Sequence, residues 1–107
     1  MAIVVNDNTF EEIVLKSELP AMVDFGAKWC GPCRALEPYV EQVAAEYEGK
    51  AIVVKADVEQ CPDISGKYGI RNIPAIMFFK EGKWLKDKTL TGLVPKATLT
   101  KTLDELL

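Results

Sequence analysis

Apolar and polar positions follow two rhythms along this chain. Short, almost unbroken apolar runs fall at residues 2–5, 21–27, 51–57 and 75–80. Such runs predict strands, and the second and third, apolar on both faces, belong in the centre of a sheet covered by helices. Between them the apolar residues recur at helical spacing. Phe10, Ile13 and Val14 share one face of a helix whose start carries the Thr9-to-Glu12 capping-box spacing, and Pro20 closes that segment. Leu36, Val40, Val43 and Tyr47 form the stripe of a longer amphipathic helix running to about Glu48, with Gly49 as its stop and Pro38 expected to kink it.

The second half is read the same way. Residues 60–68 form a weaker helix and 70–74 a loop, and Glu81-Gly82 is a hairpin turn into a polar edge strand over 83–90. Gly92 breaks the pattern, and Pro95 opens a last helix with Leu99, Leu103 and Leu106 on its apolar face. The order βαβαβα followed by ββα implies an α/β fold, a mixed sheet with helices on both faces.

Composition narrows the class. The 107 residues fit one domain, 1–107, and nearly half are apolar, enough for a core without staples. A net charge of −3 without any run of Lys or Arg offers nothing to nucleic acid or a membrane surface. The apolar runs are strand-sized, too short to span a bilayer. The first residues lack a basic stretch and a long apolar core, so a cytoplasmic location is the expectation. Three cysteines are too few, and too odd in number, for a secreted disulfide framework. Histidine is absent, which removes Cys–His pairs, Ser–His triads and His-ligated metals together.

The remaining chemistry gathers at Trp29-Cys30-Gly31-Pro32-Cys33, between the second strand and the long helix. Two cysteines separated by two residues can close a small ring, and Pro32 suits the first turn of a helix. Cys30 then lies at or just before the helix N-terminus, where unpaired N–H groups and the positive dipole end favour thiolate. Cys33, a turn further in, is expected to be the more shielded. The layout suggests one attacking and one resolving sulfur. Half of a structural zinc site is the alternative, but it lacks a second pair of ligands. Asp24 interrupts an apolar strand and is costly there unless paired or protonated, or else sits at a strand end with its head in water. Lys55 interrupts the next strand and could equally reach the surface. Cys61 reads as an inert thiol, with a regulatory disulfide as the alternative.

These residues, in this order and at these separations, resemble the thioredoxin family nearly end to end. The likeness rests on the Trp29–Cys33 motif after a strand containing Asp24, on Asp57, on Lys67-Tyr68-Gly69-Ile70-Arg71 before Ile73-Pro74, on Phe78-Phe79-Lys80-Glu81-Gly82, and on Thr91-Gly92. The resemblance implies the thioredoxin fold, a central five-stranded mixed sheet flanked by four helices. It implies a protein-disulfide reductase with Cys30 as nucleophile, Cys33 as resolving cysteine, Asp24 beneath the helix as proton acceptor, and Lys55 modulating Asp24. It makes the Ile73–Pro74 bond cis, whereas base rates alone favour trans. Trp29, Gly31, Pro32, Ile73, Pro74 and Gly92 would form a flat substrate-binding patch around Cys30. No cofactor is bound; electrons come from NADPH through a separate flavoprotein, thioredoxin reductase. Disulfide-containing proteins are the partners, and the chain is expected to be a monomer.

Three positions depart from the family pattern: Gly26 in place of a common tryptophan, Ala75 in place of a common threonine, and a slightly longer 83–90 stretch carrying Trp84. The rival readings are a disulfide oxidase or isomerase, whose relatives usually carry His between the cysteines, and a non-catalytic thioredoxin-like binding subunit.

Overall fold

A computed structural model describes residues 1–107. Its central element is β2 (Ala21–Gly26), which pairs parallel with β3 (Ile52–Asp57) on one side and antiparallel with β4 (Ala75–Lys80) on the other. β1 (Ile3–Val5) adds parallel to β3. The free edge of β4 carries two short pieces, β5 (Lys83–Trp84) and β6 (Leu90–Thr91). These pieces occupy one strand position, so the sheet is the mixed five-position sheet expected, with its last strand split.

The split is where the structure departs from the single edge strand read over 83–90. A 3₁₀ turn at Lys86–Lys88 interrupts it. Leu85 turns inward onto the core, while the charged Lys86-Asp87-Lys88 has no apolar alternation to hold it on β4. Trp84 stacks edge-on against Tyr68 and donates its indole N–H to Thr89 Oγ1 at 3.0 Å, bridging the interruption.

Four helical segments cover the sheet. A single π-helical turn, Glu11–Leu15, is followed by α1 (Gly31–Glu46), α2 (Pro62–Lys67) and α3 (Lys96–Asp104). α1 runs on past Pro38, and α3 presents Leu99, Leu103 and Leu106 inward as its spacing predicts. The first helix does not use the Thr9–Glu12 capping box. Asn6 Oδ1 takes the N–H groups of Asn8 and Thr9 at 2.8 and 3.1 Å, and Thr9 Oγ1 accepts from Asn6 N–H at 3.0 Å. Asn favours this local backbone bonding.

Because β2 is apolar on both faces, it feeds two cores. Met22 packs with Val53, Ile76 and Phe78 under α1 and α3. Val23 and Phe25 pack with Val54, Met77 and Phe79 against Phe10 and Val14 on the other face. Each fully buried side chain of this size stabilises by about 1.5–3 kcal/mol relative to exposure. The β4–β5 hairpin turns through Glu81 and Gly82 at φ 53° and 78°. Gly82 is required twice over, since a Cβ there would also meet the Leu15 carbonyl oxygen at 2.8 Å. No helix is long and apolar enough to cross a membrane.

Candidate active site

The end of β2 and the start of α1 are joined by a short turn that delivers the two cysteines. Cys30 is the N-cap of α1, with extended backbone at φ −89° and ψ 113°, and Pro32 lies in the first helical turn. Cys30 and Cys33 are disulfide-bonded, their Cα atoms 5.2 Å apart. Cys30 Sγ accepts the Cys33 N–H at 3.2 Å, so a helix N-terminal donor already points at the sulfur that would carry negative charge after reduction. On its other side Cys30 Sγ lies 3.8 Å from the Ile73 carbonyl oxygen.

Cys33 is not the more shielded of the two. Both cysteines are 6% exposed. Gly26 at the end of β2 lies against Cys33, since a Cβ there would be 3.2 Å from its Sγ, and a cleft of about 380 Å³ is lined by both residues.

Asp24 is buried with its carboxyl group, 6% exposed, and its Oδ1 has no hydrogen-bond partner. Burial first, and the negative charge of Glu37 second, push its pKa up to about 7, against an opposing pull from Lys55. Asp24 and Lys55 are register partners on β2 and β3, and both line the cleft beside Cys33. The Lys55 ammonium is held by two helix carboxylates, 2.7 Å from Glu41 Oε2 and 3.3 Å from Glu37 Oε1. The bond to Glu41 leads the effects that raise the lysine pKa, and the same bond lowers that of Glu41, with help from the Ala2 N–H.

Glu37 and Glu41 are the residues that sequence reasoning missed. The signal was present: Cys33, Glu37 and Glu41 recur every four residues, which places two carboxylates on the cysteine's own face of α1.

Around Cys30 lie the residues read as a binding patch. Trp29 is 66% exposed, which removes the core reading, and its indole N–H donates to Glu59 Oε2 at 3.2 Å. Gly31 and Pro32 are exposed, Ile73 is half-buried and Pro74 is buried. The Ile73–Pro74 peptide is cis, and the Pro74 carbonyl accepts the Gly92 N–H at 2.8 Å. Leu93, next to Gly92, is exposed and adds an apolar group that the motif reading did not include. Cys61 stands apart, fully buried, its Sγ 3.4 Å from the Val5 carbonyl oxygen, and burial pushes its pKa up to about 11.

A disulfide closed over two residues at a helix N-terminus, on a mixed sheet with a buried carboxylate lining the same cleft, defines a thiol–disulfide redox protein. The family model described as Thioredoxin matches residues 1–105. "Thioredoxin M-type, chloroplastic" of Chlamydomonas reinhardtii is 48% identical over 103 residues, 96% of this chain and 72% of that protein. "Thioredoxin 1" of a Nostoc strain is 48% identical over 101 residues, 94% of this chain and 92% of that protein. The M-type thioredoxin of Spinacia oleracea is 45% identical over 103 residues, 96% of this chain and 56% of that longer protein. The chain belongs to the thioredoxin family. It is a thiol–disulfide oxidoreductase of the protein-disulfide reductase type.

Proposed function

We propose that the chain reduces protein disulfides through a Cys30/Cys33 cycle, with Cys30 as nucleophile, Cys33 as resolving thiol and Asp24 as proton acceptor. The Cys30 thiolate attacks a substrate sulfur, forms a mixed disulfide and expels the first substrate thiolate. Cys33 gives its proton to the Asp24 carboxylate and attacks Cys30, expelling the second substrate thiolate and closing the Cys30–Cys33 bond. Two electrons pass to the substrate and none reside on a cofactor. The single observation that carries this reading is the disulfide capping α1 with the Cys33 N–H on the Cys30 sulfur; the buried Asp24, which lines the same cleft as Cys33, supports its part in it.

Substrate recognition in this reading uses Trp29, Gly31, Pro32, Ile73, Pro74 and Gly92, a mostly apolar surface on which an extended segment can lie across the backbone around Pro74. Lys55 tunes Asp24. A monomer suffices, since both sulfurs and the surface belong to one chain. NADPH, through a separate flavoprotein thioredoxin reductase, returns the electrons. The site works in a reducing compartment; the cytoplasm is our reading, and names such as that of the spinach relative carry a chloroplast address instead.

The test is reduction of insulin disulfides by the dithiothreitol-reduced protein. Cys30→Ser abolishes turnover, and Cys33→Ser accumulates a mixed disulfide at Cys30. Function surviving in the double Ser variant would instead support a binding subunit.

A further inference from the structure

Ala75 and Trp84, two of the features that depart from the family pattern, meet in a groove that the sulfur chemistry does not use. The groove holds about 240 Å³ along the split edge of the sheet. Ala75 and Met77, buried and two residues apart on β4, line it from one face of the sheet. Tyr68 and Trp84, both half-buried, line it with rings 5.5 Å apart and nearly perpendicular. Thr89, which fixes the Trp84 indole N–H, lines it from the far side of the 3₁₀ turn. Its volume falls below the roughly 300–1,000 Å³ of ligand pockets and suits one large side chain. Arg71 is the only charged residue of the lining; it is exposed and forms no ion pair within the chain. Two more cations stand over the aromatic rings, Lys67 Nζ 5.6 Å from the centre of Tyr68 and Lys86 Nζ 5.7 Å from that of Trp84. Asp87, beside Lys86 in sequence, does not line the groove. Positive charge is therefore unopposed there. The groove also adjoins the patch around Cys30. Arg71 and Asn72 run directly into Ile73, whose carbonyl oxygen lies 3.8 Å from Cys30 Sγ, and Thr91, paired with Ala75, runs into Gly92.

We propose that this groove is a specificity pocket of the protein-substrate surface: it takes an aromatic side chain of the substrate segment against Tyr68 and Trp84, while an Asp or Glu beside that residue pairs with Arg71. The inference rests on the substrate-binding reading above and names the kind of segment preferred. A guest ring can meet the two host rings edge-on or offset, the arrangements aromatic pairs favour. The planar guanidinium of Arg71 can take a carboxylate through two hydrogen bonds. An extended segment crossing the Pro74 backbone advances by about 3.3 Å per residue, so the aromatic–acidic pair lies within a few residues of the target cysteine. Lysine or arginine at the same place meets three cations and is disfavoured, which makes the preference a matter of rejection as well as attraction. The Cys30/Cys33 chemistry is unchanged; the groove sets which disulfides reach it.

The test uses short synthetic peptides, each closed by one disulfide and identical except for a neighbouring pair, Tyr-Glu, Ala-Glu, Tyr-Lys or Ala-Lys, placed at successive distances on either side of one cysteine. KM and kcat for reduction by the dithiothreitol-reduced full-length protein are measured for each. At the best placement, KM for the Tyr-Glu peptide is expected to be about tenfold below that for Ala-Lys, with kcat little changed. Arg71→Glu should reverse the preference between Glu and Lys peptides, and Trp84→Ala should erase the preference for Tyr over Ala. Should Trp84→Ala fail to fold, the Trp84 indole N–H signal of the oxidised parent carries the same point. It should shift on titration with a Cys→Ser form of the Tyr-Glu peptide and stay in place with the Ala-Lys form, Trp29→Phe telling the two indoles apart. One KM for all four peptides, a preference for acid indifferent to Arg71→Glu, or an aromatic preference that survives Trp84→Ala overturns the proposal. Peptides all reduced at a common KM sink the groove alone, whereas failure to reduce both the peptides and insulin sinks the oxidoreductase reading.

Discussion

Asp24 and Lys55 stand opposite each other in the register of β2 and β3, yet they form no ion pair; the lysine ammonium is drawn to Glu41, 2.7 Å away, and Glu37. The carboxylate is left buried with one oxygen unpartnered. Its Oδ1 is inaccessible to solvent, and the Lys55 ammonium is held by the two carboxylates of α1. The pKa of Asp24 rises to about 7 for that reason.

This burden has a pH signature in stability. The folded pKa of Asp24, about 7, lies above its unfolded value of 3.8, so the folded state holds the proton more tightly. Stability from this group is intact below pH 3.8, falls as pH rises towards 7, and is level above that. The whole effect has an upper bound of about 4 kcal/mol. Asp24→Asn is therefore expected to gain stability over the parent progressively across that window. Urea denaturation of both proteins at a series of pH values measures it, and an advantage that does not grow with pH contradicts the assignment.

Glu37 acts on Asp24 by two routes of the same sign. Its charge opposes ionisation of Asp24, and it shares the Lys55 ammonium. Glu37→Gln is expected to lower the Asp24 titration midpoint by about half a unit to one unit. Glu41→Gln acts by releasing Lys55 alone and moves it less. Lys55→Met moves it upwards. Carboxyl-carbon NMR titrations of the three variants read the order directly, and an unmoved midpoint in Glu37→Gln rejects the coupling.

Much of the fold and of the site is legible in the amino-acid sequence. The unbroken apolar runs identify β2 and β4 because a strand covered on both faces has no solvent side to mark, whereas the run at β1 marks an edge strand whose Ile3 and Val4 are exposed. The Leu99, Leu103 and Leu106 stripe identifies the packed face of α3 for the opposite reason, since one side of that helix is wet. Cys30 at a helix start follows from Pro32. The features that escape a sequence reading are those set by contacts distant along the chain. The equal burial of Cys30 and Cys33 is set in the folded chain, where Gly26 packs against Cys33, and the split of the edge strand depends on Leu85 finding the core. The carboxylates that hold Lys55 come from α1, across the sheet–helix interface, and no local pattern in β3 announces them.

Cys61 is expected to stay out of the chemistry. It is fully buried, burial leads the effects that push its thiol up to about 11, and its sulfur meets the Val5 carbonyl. In the reduced native protein at pH 8, iodoacetamide should label Cys30 and leave Cys61 unmodified until denaturant is added. Cys61→Ala should cost about 1 kcal/mol and leave insulin reduction unchanged. Native-state labelling at Cys61 would reopen a regulatory role.

Trp29 separates recognition from folding. An indole that is 66% exposed contributes little to the core, and its bond to Glu59 is at the surface. Trp29→Ala should therefore change stability by no more than about 0.5 kcal/mol. The same ring adjoins Cys30 in sequence and belongs, in the proposed function, to the patch that takes the substrate segment. Large apolar side chains at such positions carry much of the contact energy in protein recognition. KM for insulin should rise by about threefold to tenfold with kcat changed less, which is the pattern of lost uniform binding. Reduction of a small aromatic disulfide, too short to cover the patch, should change less than insulin reduction. If both substrates lose activity equally and through kcat, Trp29 acts on the sulfur chemistry itself, and the docking surface must be redrawn around Ile73, Gly92 and Leu93.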